Sequence, residues 1–192
     1  GELAYWFQLK SNFEAQSVPF PMLLLRNSVL IRTERQYKKS QKLNVSNKAI
    51  FLKQSALINE KVKDISAIDI DFSSQKNHLE QQFKDLHKLA KQTDKSFLGA
   101  VKAQEKKQLK GLENLEKRLL KAQKRKLEDQ VSRITTLQNE LFPGQSLQER
   151  NTNFSEFYLE YGKAFIGALK TSLKPLQLEF LMMSFASNYA EN

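Results

Sequence analysis

About fifty consecutive residues, Asp94 to Phe142, contain no proline and read as one uninterrupted helix that Pro143-Gly144 stops abruptly. At 1.5 Å per residue such a helix extends about 70 Å, more than twice the diameter of a small domain. It cannot be buried inside a compact fold, so the pattern predicts a projecting arm. Directly after the stop comes Leu147-Gln148-Glu149-Arg150-Asn151-Thr152-Asn153-Phe154, where the chain is expected to return to a globular body.

The apolar positions of the long helix are Leu112, Leu115, Leu119, Ala122, Leu127, Val131, Ile134, Leu137 and Leu141. Their mean spacing is about 3.6 residues, not the 3.5 of a strict heptad, so the seam should wind little around its partner. Two shorter amphipathic stretches, 46–62 and 74–91, are placed to fold back along it as an antiparallel coiled coil, with Ser73 or Ser74 capping the second. Thr93-Asp94 breaks and recaps the chain before the long helix. The uncovered part of the seam suits dimerisation. Gly99 and Gly111 each cost about 1 kcal/mol relative to Ala, and close helix approach would explain their presence.

The remaining segments suggest a small α/β portion. Residues 2–15 carry a helical stripe ended by Pro19 and Pro21. Met22-Leu23-Leu24-Leu25 reads as a strand buried on both faces, and Ser28 to Ile31 as a second. Thr33 to Lys42 is a helix-compatible connector, 64–73 is rich in turns, and Ser155 to Leu173 is a helix stopped by Pro175. Alternation through Leu176, Leu178, Phe180 and Met182 favours a final strand. The expected organisation is 1–45 in the body, 46–142 as the arm and 143–192 returning to the body. The expected class is mainly α with a small α/β part.

Composition narrows the chemistry. Thirty-one basic residues against 21 acidic leave +10, which admits nucleic acid, anionic lipid or phosphorylated small molecules as partners. No cysteine is present, which removes disulfides, a thiolate nucleophile and Cys-based zinc sites. His78 and His87 lie half a helical turn out of phase, so no metal site is expected from them. The best apolar run, Phe20 to Ile31, is too short to span a bilayer and contains Arg26. A cytoplasmic protein without membrane contact is expected. The chain opens on the apolar cluster Leu3 to Phe7 without a methionine, which suggests the later part of a longer protein.

Three stretches in this order resemble one family. Gly1-Glu2-Leu3-Ala4-Tyr5-Trp6 heads the chain, and Pro19-Phe20-Pro21-Met22 leads into Leu25-Arg26-Asn27-Ser28. Leu141-Phe142-Pro143-Gly144 then precedes Leu147-Gln148-Glu149-Arg150, Asn153-Phe154 and Tyr161-Gly162. Together with the long helix they look like the C-terminal part of the BshC family, the cysteine-adding ligases of bacillithiol biosynthesis. That resemblance implies a Rossmann-like body and a protruding coiled-coil arm that forms a homodimer. It also implies cysteine and glucosaminyl-malate as substrates of the full-length enzyme, with a nucleotide, ATP being expected, as cofactor. The first part of such a body lies outside this chain, so the isolated chain is expected to be inactive.

Candidate binding residues stand beside plainer readings. Arg26-Asn27-Ser28, after a strand, would sit where open α/β sheets hold ligands, with Arg26 as a bidentate anion clamp. The plainer reading is a tight turn. Gln148, Glu149, Arg150 and Asn153 form a polar cluster suited to a ligand. Equally, Ser146-x-x-Glu149 and Asn153-x-x-Glu156 are capping-box patterns. Glu2, Tyr5 and Trp6 head a helix, where an anion is favoured and the indole offers a stacking face; aromatic residues there more often belong to a core. No catalytic base is identifiable. The rival reading is a non-enzymatic coiled-coil or nucleic-acid-binding protein using Lys106 to Lys126. Interleaved Glu105, Glu113, Glu116, Glu128 and Asp129 and the absence of aromatics over 98–141 weigh against nucleic acid.

Overall fold

The computed structural model describes residues 2–186. Two compact units emerge, one built from residues 1–39 and 139–192, the other from 40–138.

The first unit begins with short helices α1 (Glu2–Gln8) and α2 (Lys10–Ala15), separated at Leu9. Residues 16–27 form no regular element. The expected strand at 22–25 is therefore absent, and Met22, Leu24 and Leu25 are exposed. Apolar content alone does not make a strand; no neighbouring backbone supplies its hydrogen bonds. Strand β1 (Ser28–Thr33) pairs in parallel with β2 (Phe180–Phe185), Leu30 lying opposite Met182. The final strand thus starts four residues later than the alternation suggested, because 174–179 turns to bring it alongside β1. Leu30 and Ile31 point to opposite faces and both are buried, the signature of a parallel strand covered on both sides.

Helix α9 (Phe154–Ser172) covers one of those faces. Tyr161 and Phe165 pack on Ile31, with Val29, Phe157 and Phe185 around them. The Tyr161 and Phe185 rings stack at 4.9 Å. Burial pushes the Tyr161 phenol well above its ordinary pKa, with Glu160 adding to the effect. Between the two aromatics, Gly162 takes φ 60° and ψ −147°, a conformation essentially closed to residues with a Cβ. No proline or other breaker besides Gly162 itself marks this interruption of the helix in the residue pattern. Gly144 (φ 63°, ψ 22°) takes the milder left-handed conformation in the turn Pro143–Gln145.

In the second unit, α3 (Glu34–Lys42) leads in from the first. A short 3-10 turn (Ala49–Phe51) and α4 (Gln54–Ile65) replace the single helix expected over 46–62. Next come α5 (Ser73–Ala90), α6 (Lys95–Lys126) and α7 (Glu128–Leu141). Phe83 and Ala90 of α5 bury Val101 of α6. Lys76 Nζ lies 2.6 Å from Glu116, and His87 Nε2 lies 2.8 Å from Glu105. The partners descend on α6 as they ascend on α5, so the helices run in opposite directions. Buried Gln138 of α7 donates to the carbonyls of Ile50 and Leu52, fastening the 3-10 turn.

Three local expectations are corrected. The long helix is interrupted at Leu127 (φ −104°, ψ 26°). The hydrogen-bond ladder carries through, Leu127 N–H donating to Gln123 and Val131 N–H to Leu127. Lys124, Arg125 and Lys126 before the bend and Glu128 and Asp129 after it match the dipoles of a helix end and a helix start. Neither Ser73 nor Ser74 caps α5; its N-cap is Phe72, and Ser73 instead hydrogen-bonds Asp71. A Cβ at Gly99 or Gly111 would meet nothing within 4 Å, so neither glycine serves close approach within this chain. By contrast, Asp94 caps α6 as expected, its carboxylate accepting from Phe97 N–H at 2.7 Å.

Candidate functional site

The first unit contains an open cavity of about 720 Å³, lined by Leu3 and Trp6 of α1, the segment 21–26 and Arg150. Of the ten candidate residues, Trp6, Arg26 and Arg150 meet there. Arg150 lies on α8 (Gln148–Asn151), remote in sequence from the other two. The cavity therefore has an apolar floor, an indole edge and two guanidinium-bearing walls.

Glu149 holds this wall together. Its carboxylate accepts from Arg26 Nη2 at 3.1 Å, Ser28 Oγ at 3.3 Å and Val29 N–H at 3.4 Å. The Arg26 side chain remains about half exposed (55%), so part of its fork faces solvent at the cavity. Such a paired, exposed cation is worth little to stability and is suited to binding.

Neighbouring candidates are engaged in structure. Gln148, only 7% exposed, accepts from Ile31 N–H at 2.9 Å and donates to Ile31 C=O at 2.8 Å. Its amide thereby acts as a one-residue strand against the free edge of β1. Asn27 donates to the carbonyls of Lys174 and Gln177, fixing the turn ahead of β2. Asn153 is the N-cap of α9, accepting from Ser155 N–H at 3.0 Å; the cap forms through the second helical amide and not through the third, as a capping box would require. The pattern at Ser146 does not, because Leu147 is the N-cap of α8 and makes no side-chain cap. Tyr5 is exposed on α1 and does not line the cavity. Glu2 begins α1, and its side chain lies outside the described structure.

One premise changes. With no strand at 22–25, Arg26 precedes the amino end of β1, so the strand-end rule does not apply to it. The carboxyl ends of β1 and β2 carry Arg32 and Ser184 instead, which are opposite one another and joined by a 2.8 Å hydrogen bond. Arg32 is buried and stacks over the Tyr37 ring at 4.5 Å. Burial lowers its pKa, which Tyr37 partly opposes. The sequence signal for this position is an arginine directly after the apolar run Val29-Leu30-Ile31. Met22, Leu24 and Leu25 line the cavity in place of the buried strand expected of them, and Leu3 joins them from the helical stripe of α1.

Among the described residues, no group of three or more His, Asp or Glu side chains could hold a metal ion. No helix among them is long and apolar enough to cross a membrane.

Residues 29–185 match the family model described as bacillithiol biosynthesis BshC, C-terminal coiled-coil domain. Relatives carrying the provisional name cysteine ligase BshC occur in Christiangramia forsetii (62% identical), Flavobacterium johnsoniae (59%) and Flavobacterium psychrophilum (53%). These alignments cover 96%, 94% and 97% of this chain. The chain spans only about a third (34–35%) of those relatives' length. On these matches the chain belongs to the BshC family, its residues 29–185 corresponding to the C-terminal coiled-coil domain.

Proposed function

We propose that this chain is the C-terminal part of a ligase that joins the carboxyl group of cysteine to the amine of glucosaminyl-malate, completing bacillithiol. The observation that carries the site assignment is the meeting of Arg26 and Arg150 with Trp6 on one cavity of about 720 Å³. Two guanidinium groups favour a phosphate or carboxylate, since each offers paired donors in a fixed fork. The indole edge and apolar floor favour a ring beside that anion.

A nucleotide meets both demands. When bound, it would activate the acid by taking up the carboxylate oxygen that amide formation must expel. In this reading Arg26 and Arg150 bind and orient the anionic part, and Trp6 borders the ring. Glu149 holds Arg26 in place, while Gln148, Asn27, Ser28 and Asn153 keep the wall rigid. The remainder of a Rossmann-like body would supply the other substrate contacts, so the isolated chain is expected to lack activity. Dimerisation through the helical arm and a cytoplasmic location belong to the same reading. Nucleic-acid binding gains no support, since Glu116 on the basic helix is itself paired with Lys63 and Lys76.

The test uses the full-length protein. Arg26→Ala and Arg150→Ala should each lower bacillithiol formation at least about tenfold, the effect of losing one charge-assisted contact, and leave the oligomeric state unchanged. Nucleotide affinity should fall in parallel. Wild-type thiol levels in cells carrying both substitutions would end the proposal.

A further inference from the structure

Helix α6 carries a cationic face that the second unit leaves uncompensated. Most of the chain's net charge of +10 lies in that unit. Lys102, Lys106, Lys110, Lys117, Lys121 and Lys124 form one file along α6, within about 100° of arc at 3.6 residues per turn. Lys107, Arg118 and Arg125 lie in a second file beside it. All of them are exposed except half-buried Lys124. The side of α6 that packs on α5 bears Val101, Glu105 and Glu116, about a third of a turn round from the first file.

The interleaved carboxylates do not neutralise this face. Glu105 pairs with His87, and Glu116 with Lys63 and Lys76, so both are committed to neighbouring helices. Among the described residues, no cation of α6 between Lys102 and Lys126 forms an ion pair. A solvated face of mixed charge would instead show i,i+4 pairs along the helix.

The spacing of the file selects its partner. From Lys102 to Lys124 it runs about 33 Å, with a step of about 5.5 Å when Glu113 is counted in it. A helix laid alongside repeats every 5.4 Å, so carboxylates at every third or fourth residue stay in step along the whole file. A nucleic-acid backbone winds away from a straight rod, and the file offers no aromatic ring for a base to stack on. An interfacial membrane helix sets large apolar side chains beside its charges. Between Lys102 and Lys126 the only exposed one is Leu115, on the opposite side of α6. A second copy cannot present the same file, because like charges would meet. An open groove of about 400 Å³ follows the file, with Lys102, Lys106, Leu109, Lys110 and Glu113 in its lining.

We propose that this face of α6 docks an acidic helix of a partner protein. That helix carries Glu or Asp at every third or fourth position, a basic residue opposite Glu113 and one apolar side chain against Leu109. The docking is independent of the ligase reading, because Arg26 and Arg150 belong to the other unit.

Fluorescence anisotropy on the full-length protein tests it with a labelled synthetic helix of about 25 residues, long enough to span the file. The glutamates of this peptide recur along one face; a control peptide of equal composition spreads them around the helix. The patterned peptide should bind at least about tenfold more tightly than the control at low salt. Combining Lys106→Glu, Lys110→Glu, Lys117→Glu and Lys121→Glu should abolish that binding with the far-UV circular dichroism unchanged. A peptide with Lys in place of Glu should then bind the variant. Equal binding of the two glutamate peptides, or no binding of either, would overturn the proposal. So would tighter binding of a short DNA duplex or of vesicles containing phosphatidylglycerol, which would assign the face to phosphate groups.

Discussion

Replacing Gln148 with Leu keeps the side chain's bulk and removes both of its contacts to β1. The Ile31 N–H and C=O, now satisfied at 2.9 and 2.8 Å, would be left without partners beneath a residue that is 7% exposed. Each stranded buried group costs about 1–3 kcal/mol, so the pair should cost about 2–6 kcal/mol. That is a large share of the 5–15 kcal/mol typical of a domain. At about 2–4 °C per kcal/mol for a chain of this size, Tm should fall by at least about 4 °C in a calorimetric scan. Gln148→Glu provides the control. Its carboxylate still accepts from Ile31 N–H but meets the Ile31 carbonyl with no donor. Protonation restores that donor, so the Glu variant should approach wild type as the pH falls through its carboxyl's pKa, which burial against a carbonyl raises above the usual value of about 4.3. A Gln148→Leu protein within about 1 kcal/mol of wild type would refute the claim that this amide completes the edge of β1.

Phe165→Ala should destabilise the first unit by about 3–5 kcal/mol, since Phe165 is 1% exposed and contacts both Phe157 and Phe185; urea denaturation monitored by tyrosine fluorescence would measure it. Lys76 should make the helical hairpin sensitive to alkali. Its hydrogen bond to Glu116 raises its pKa above 10.5, so its contribution is complete below that pH and is lost as pH rises through the higher folded value. The Tm of Lys76→Met should therefore converge on that of wild type as the pH rises through that raised value, and a constant gap would contradict the pairing.

Helices and their phases were legible in the sequence because they depend on near neighbours. Apolar spacing located α5, α6, α7 and α9, and Asp94 and Asn153 marked the starts of α6 and α9 through their own side chains. The bend at Leu127 was not anticipated, because the basic residues followed at once by acidic ones also fit the solvated face of a continuous helix. The cavity was half legible: Trp6, Arg26 and Arg150 were singled out individually, with nothing in the sequence to say that they share a wall.

Only the tertiary structure decided what was a strand and what was a lining. Met22 to Leu25 is as apolar as β1, yet it remains irregular because a strand exists only where another chain segment accepts its hydrogen bonds. β1 meets that condition through β2, about 150 residues away, and through Gln148, 117 residues away. The same distance governs chemistry. Local order is fixed by contacts within a few residues, whereas a binding wall or a sheet edge arises when remote segments satisfy one another's backbone, and pairwise spacing in the sequence carries no record of that.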